Sequence, residues 1–432
     1  MQTAKCFKRD ERGTTATLFG LTLIPVMVLL GAAVDYSRAG AAHARMQRAV
    51  DAATLALSRD GGLLSDSELQ ARAQDVFTSA FGADPSVTAV PVTVTRQGRS
   101  IRVEASGTVR PAFMRIAGFN EMPISGTAVA ARKKIELALV LDNTGSMASK
   151  NKLQELKRAS RTLLDKLETA VRDSGDEELV KVSIVPFNSK VNVGRHHKDA
   201  WWITYRPHDA NPALRMSKDD WQGCVTDREQ LQDLDARDDR RITGDPSTLH
   251  LATVCGEYFG NRLERQELAE IRPLTNDFQA LRQTIGAMRP DGCTNITIGA
   301  AWGLDTLSNQ GPFTGAAAYG APDVDKFMIL LTDGNNTRSR AYRNSDCSEG
   351  PFISGQIDPR TRKVCDNIKS AGGQGIRLYT IRVIEGNATL LSECASTDEN
   401  GTPRYYDVGD ASRIQGVFQD IVNEILATRL TH

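Results

Sequence analysis

The sequence predicts an α/β protein built on a doubly wound, mostly parallel sheet with long insertions, preceded by a transmembrane helix and a small α+β region. Three observations carry this. A charge-free apolar run lies near the N-terminus; three β-branched, alternating segments follow it; beyond Lys134 short buried-type strands alternate with longer helical patterns. Alternation of that last kind argues a parallel sheet covered by helices on both faces.

The apolar run reads from Thr14 to Val34 without a charge, enough to cross a bilayer core as a helix. Lys5, Lys8, Arg9 and Arg12 precede it, and the positive-inside bias places residues 1–13 in the cytoplasm, although Arg38, Arg45 and Arg48 weaken the asymmetry. A rival reading is a cleaved signal peptide, since Gly31, Ala32 and Ala33 are small residues of the kind a signal peptidase accepts. Helical periodicity continues without a breaker through residues 35–58, which suits a permanent anchor whose helix runs on to about residue 60.

Residues 61–132 read as the small α+β region. Gly61 and Gly62 end the long helix, and Ser65 with Glu68 forms a capping box for a second helix. Strands are expected at 87–95, 100–109 and 123–130, the first two joined by a turn at Gln97 and Gly98. From residue 133 to 432 the expected strands are 135–142, 180–187, 325–333 and 376–384, with helices at 152–171, 277–288, 297–308, 363–372 and 411–426. The stretches at about 190–272 and 334–360 are too long for ordinary loops and read as insertions.

Lys plus Arg equals Asp plus Glu at 53 each, so no global field draws the chain to nucleic acid. Nothing points to catalysis: none of the six His falls in a metal-spaced pair, His196 and His197 read as loop, and no GxSxG, HExxH or Walker pattern occurs. Trp201, Trp202, Tyr205 and Trp221 in the first insertion are either a recognition surface or a small disulfide-pinned core.

Cys6 precedes the apolar run; Cys224, Cys255, Cys293, Cys347, Cys365 and Cys394 lie beyond it, and no CxxC pair suggests zinc. Six cysteines on one side point to disulfides in an oxidising compartment, and fifteen pairings are open. Cys394 lies in a further helical stretch at 387–396, and successive right-handed crossovers would set it beside the helix bearing Cys365, which favours that pair. Of the three pairings then left, the expected one joins Cys224 to Cys255 inside the first insertion and Cys293 to Cys347.

The first strand of the α/β region ends in LVLDNTGSM, setting Asp142, Thr144 and Ser146 at alternate positions just after a buried run. Ligands of doubly wound sheets collect at the carboxyl ends of strands. Thr294, in DGCTN, and Asp333, in ILLTDG, are polar residues at equivalent places. A plain turn would also favour Asp, Asn, Gly and Ser here.

At these five positions the sequence resembles the von Willebrand factor type A family, whose metal-ion-dependent adhesion site is written DxSxS, a distant Thr and a distant Asp. Thr144 stands where that pattern usually has Ser; both offer a hydroxyl oxygen. The resemblance implies a divalent cation, Mg2+ before Ca2+ or Mn2+, held by hydroxyls, carboxylate and water, with an open position for an acidic side chain from a protein partner.

The N-terminal helix and its MQRAVDAATLALS continuation are similar to TadE and TadG-like pilus-assembly proteins, several of which end in a type A domain. Pilin-like members carry a Glu five residues after the Gly; here Gly13 is followed at that place by Leu18. The resemblance therefore implies a stationary accessory protein of the bacterial inner membrane rather than a pilin subunit. Its single helix would leave the C-terminal domain periplasmic or extracellular and its partners would be pilus or envelope components. A structural scaffold or tether, with a vestigial or merely stabilising metal site, is the alternative.

Overall fold

The computed structural model describes residues 12–60, 64–89, 91–97, 100–131, 133–205, 216–228, 248–259, 262–265, 268–340, 347–348, 350–373 and 375–428. The basic lead with Cys6, Gly61, Gly62 and Gly98 of the expected hairpin turn lie outside them, as do parts of both insertions. The chain divides into two compact units between residues 132 and 133.

In the first unit helix α1 (Arg12–Asp60) changes character along its length. Leu18, Phe19, Leu21, Val26, Met27, Leu29 and Leu30 are exposed, whereas Ala39, Ala42, Met46, Ala49, Val50, Ala53 and Leu57 are buried at helical spacing. The helix is long and apolar enough to cross a membrane, and its exposed half is the half without charges. The buried stripe packs with α2 (Asp66–Phe81) against a four-stranded sheet. Ser65 caps α2 reciprocally with Glu68, its N–H donating to Glu68 Oε2 at 2.8 Å.

The expected strand at 87–95 is two strands, β1 (Val87–Ala89) and β2 (Thr93–Gln97), both antiparallel to β3 (Ser100–Val109), with β4 (Met122–Ala131) on the other side of β3. Pro91, which has no N–H to give a ladder, falls in the break. The polar backbone of Val92 is instead satisfied by the side chains of Gln70 and Gln74 on α2.

The second unit is mixed α/β. Its central sheet is ordered β13-β6-β5-β14-β15-β16, namely Arg272–Thr275, Val180–Phe187, Lys134–Asp142, Val324–Thr332, Arg377–Val383 and Tyr405–Val408. Only β13 is antiparallel, at an edge. Alternation decides which helices cover which face: Leu137, Leu139 and Leu141 of β5 meet α3 (Lys152–Ser174), α4 (Phe278–Ala287) and α8 (Ile414–Thr428), while Ala138 and Val140 meet α5 (Ile296–Thr306), α6 (Pro351–Ser370) and α7 (Ala388–Cys394). A Cβ on Gly303 of α5 would lie 2.6 Å from Val140 Cγ2, so glycine there lets this helix settle directly on the sheet.

The insertions hold more structure than expected. In the first, β7 (Val191–Asn192), β8 (Ile203–Thr204), β9 (Cys224–Thr226) and β10 (His250–Ala252) form a small sheet, followed by the hairpin of β11 (Gly256–Phe259) and β12 (Arg262–Arg265). Trp202 and Trp221 are buried there and Trp202, His250, Trp302 and Phe313 pack edge-on or tilted against one another, so the aromatic group is core rather than surface, except for half-exposed Trp201. In the second, residues 351–360 begin α6, with Pro351 at the first helical position where its missing N–H costs nothing.

Disulfides join Cys224 to Cys255, Cys293 to Cys347 and Cys365 to Cys394. The last ties α6 to α7 across a Cα separation of 5.0 Å.

Candidate functional site

The chain leaves β5 toward β6 on one side and returns through β14 on the other, so the crevice at the carboxyl ends of β5 and β14 is the switch point of the sheet. The ladder between β14 and β5 ends at Leu331 and Leu141, so Thr332 and Asp142, the last residues of the two strands, follow side by side, and Asp333 comes next. Both carboxylates are fully buried.

Around them the hydroxyls close in. Ser146 Oγ donates to Asp333 Oδ1 at 2.6 Å and lies 2.9 Å from Thr144 Oγ1. Asp142 accepts from the Thr144 N–H at 2.8 Å and from Thr332 Oγ1 at 2.5 Å. Thr294 completes the group from the loop before α5: a Cβ on Gly334, the residue after Asp333, would meet Thr294 Oγ1 at 3.3 Å and Ser146 Oγ at 3.8 Å. All five residues singled out in the sequence are therefore brought to one place.

The loops that carry them are pinned. The Gly145 N–H donates to Gly292 O at 3.0 Å and the Asp291 N–H to Asn143 O at 2.9 Å, joining the loop after β5 to the loop before α5. Thr294 O accepts from the N–H groups of Thr337 and Arg338, and Cys293 beside it is bridged to Cys347. Asn295 caps α5, and its amide donates to both oxygens of buried Asp227, a residue of the first insertion. That insertion thus reaches the loop bearing Thr294.

Sequence reasoning missed Lys152 and Glu385. Lys152, the first residue of α3, is fully buried and donates to Asp333 Oδ2 at 2.6 Å and to Glu385 Oε2 at 3.0 Å; Lys150 also reaches Glu385. The backbone is strained where it delivers them. Lys150 and Asn151 have φ of 52° and 57°, and Ile384, beside Glu385, has φ of 67°, a costly conformation for a β-branched residue. A lysine at a helix start ordinarily reads as solvent-facing, so only the unusual density of turn-prone residues before it signalled anything.

Charge follows from this packing. Burial, reinforced by the neighbouring Asp333 carboxylate, pushes Asp142 up to about 7. Burial pulls Lys152 down, but the hydrogen bond and charge of Asp333, and then of Glu385, outweigh it and its pKa is raised. The hydrogen bond from Lys152 holds Glu385 below the usual carboxylate range. Two buried carboxylates within one oxygen-rich pocket are short of positive charge, and an all-oxygen donor set with few carboxylates suits a hard divalent ion. Among the described residues no three His, Cys, Asp or Glu side chains gather as a metal site.

Comparison with known proteins matches residues 13–59 to the Tad family, "Putative Flp pilus-assembly TadE/G-like". No curated protein matches the chain. Among solved structures it is similar to the pilus adhesin SpaC from Lactobacillus rhamnosus GG, at 13% identity and a TM-score of 0.36, covering 80% of this chain and 35% of that one. It is also similar to the vWF domain of the type V pili tip protein Mfa5 from Porphyromonas gingivalis, at 12% identity and a TM-score of 0.37, covering 68% of this chain and 96% of that one. A third likeness is proximal thread matrix protein 1 from the mussel byssus with a zinc-occupied MIDAS motif, at 13% identity and a TM-score of 0.34, covering 69% and 48%. The chain spans about a third of the length of SpaC.

Proposed function

We propose that this chain is a membrane-anchored, non-enzymatic accessory protein of pilus assembly or adhesion, whose second unit is a von Willebrand type A domain with a metal-ion-dependent adhesion site. The observation that carries the reading is the meeting of Asp142, Thr144, Ser146, Thr294 and Asp333 at the switch point of a doubly wound sheet. The Tad match over residues 13–59 supports the pilus side of it. The exposed apolar half of α1 supports the anchor, with residues 14–34 as the span in an inner membrane and the C-terminal unit outside the cytoplasm.

A bound divalent cation, Mg2+ before Ca2+ or Mn2+, would supply an electrophilic position for a carboxylate oxygen of a partner. The chain's own residues do the rest. Asp142, Ser146 and Thr144 offer oxygens from one loop, Thr294 from a second and Asp333 from a third. The hydrogen bonds between these loops and the Cys293–Cys347 bridge hold the donors in place before any ion arrives, which reduces the ordering cost of binding.

A second reading, a tether whose centre only stabilises the fold, is favoured by Lys152, which already gives the pocket an internal cation. Capture of envelope proteins by the full chain, with and without chelator, separates the two. The adhesion reading expects capture that is lost with chelator and in Asp142→Ala; capture unchanged in both assigns the tether.

A further inference from the structure

The loop between β3 and β4, residues 110–121, is not needed to join two antiparallel neighbours, yet it is held in a fixed place. Buried Asp35 of α1 accepts from three successive N–H groups of this loop: Ala112 at 2.8 Å, Phe113 at 2.8 Å and Met114 at 2.7 Å. One turn earlier, a Cβ on Gly31 would fall 2.5 Å from Phe113 Cβ, so the loop rests directly on the helix backbone there. Gly31 and Asp35 bracket the point where the charge-free run ends.

The side chains the loop presents are apolar and uncovered. Phe113 is 47% exposed, Ile116 83% and Phe119 57%, and exposed Arg110 and Arg115 flank them. A loop facing water has no reason to display three large apolar groups together. Tyr36, 76% exposed, sits on α1 at the same level, where an aromatic ring suits a membrane boundary.

We infer that residues 110–121 form an interfacial membrane contact: Phe113, Ile116 and Phe119 enter the headgroup and acyl boundary of the same bilayer that α1 enters, with Arg110 and Arg115 against lipid phosphates. This rests on reading residues 14–34 as a membrane span. Asp35 is the positioning residue, since its carboxylate fixes the loop to the end of that span and so sets its depth. The device gives a single helix a second, off-axis foothold, which restrains its tilt and its rotation about its own axis.

The test uses the full chain in vesicles of phosphatidylcholine and phosphatidylglycerol. A nitroxide is placed by Ile116→Cys or Phe119→Cys in a Cys6→Ser background, the three disulfides staying intact. Accessibility to oxygen, which concentrates in the bilayer, is compared with accessibility to a water-soluble nickel chelate. Leu23→Cys reports the span and Ser79→Cys, exposed on α2, reports water. The inference expects oxygen-to-nickel ratios at 116 and 119 that lie several-fold above that at 79 and below that at 23. Ratios at 116 and 119 equal to that at 79, with 23 still high, overturn the loop contact and leave the anchor standing. Labels at 116 and 119 shielded from both reagents also overturn it, and assign the patch to a protein partner. A ratio at 23 as low as that at 79 overturns the anchor itself and the loop contact with it.

Discussion

Replacing Lys152 by Met removes the ammonium but keeps most of the side chain that packs at the start of α3. What remains is Asp333, fully buried, with its hydrogen bond from Ser146 but without its 2.6 Å cationic partner, beside buried Asp142. Breaking a buried pair by removing one partner costs about 3–5 kcal/mol, because a charge is left uncompensated in low dielectric. The second partner, Glu385, is 52% exposed on its side chain, so its share of the loss is under about 1 kcal/mol. Against a total stability of about 5–15 kcal/mol, a loss on the order of 4 kcal/mol lowers the melting temperature of the second unit, residues 133–429, by roughly 6 °C. A divalent cation replaces the missing charge, so Mg2+ should restore most of the loss and stabilise Lys152→Met more than it stabilises the parent. Thermal unfolding of the full chain in detergent, with chelator and with millimolar Mg2+, measures all four quantities. A variant that melts with the parent under chelator refutes the charge-balance reasoning, as does a large loss that Mg2+ leaves untouched.

Three further outcomes are expected. Asp142 is raised in the folded state by burial and by Asp333, so the stability it contributes is complete below its ordinary value of 3.8 and is lost as pH rises through about 7; chelated protein should lose on the order of 4 kcal/mol between pH 4 and 8, and Mg2+ should flatten that slope. Urea midpoints across this range check it, and stability that climbs from pH 5 to 7 under chelator would contradict it. Opening the Cys293–Cys347 bridge by Cys347→Ser frees the loop of Thr294; calorimetry should show weaker Mg2+ binding, on top of about 4 kcal/mol of lost stability in the chain-entropy model for a separation of 54 residues. Gly303→Val forces a side chain into the space held by Val140 and Met328 and should destabilise the second unit by about 1–3 kcal/mol, seen as a lower melting temperature with Mg2+ affinity per folded molecule unchanged.

Much of this architecture was legible because the strong signals are local. The apolar runs at 135–142 and 325–333 each end abruptly in an acidic residue, and a buried strand that stops on Asp at the switch point has few places to put that carboxylate except the crevice. What stayed hidden depends on tertiary context. β13 and β16 are short edge strands of four residues each and show too little periodicity to stand out. The start of α6 lies in a segment whose Pro, Gly and Ser content reads as loop, although Pro351 is at home in a first turn. The burial of Lys152 follows from two consecutive residues in the left-handed region before it, a geometry that Lys150 and Asn151 do not announce. Asp227 is likewise silent in sequence, since its partner Asn295 comes from a distant loop.

Titrating Mg2+ and Mn2+ by calorimetry into the chelator-stripped full chain, alongside Asp142→Ala and Asp333→Ala, decides whether Asp142, Thr144, Ser146, Thr294 and Asp333 form one divalent-cation site. One ion per chain is expected for the parent and loss of that heat in both variants, each shown by circular dichroism to be folded. Folded variants that bind the ion as tightly as the parent would contradict it.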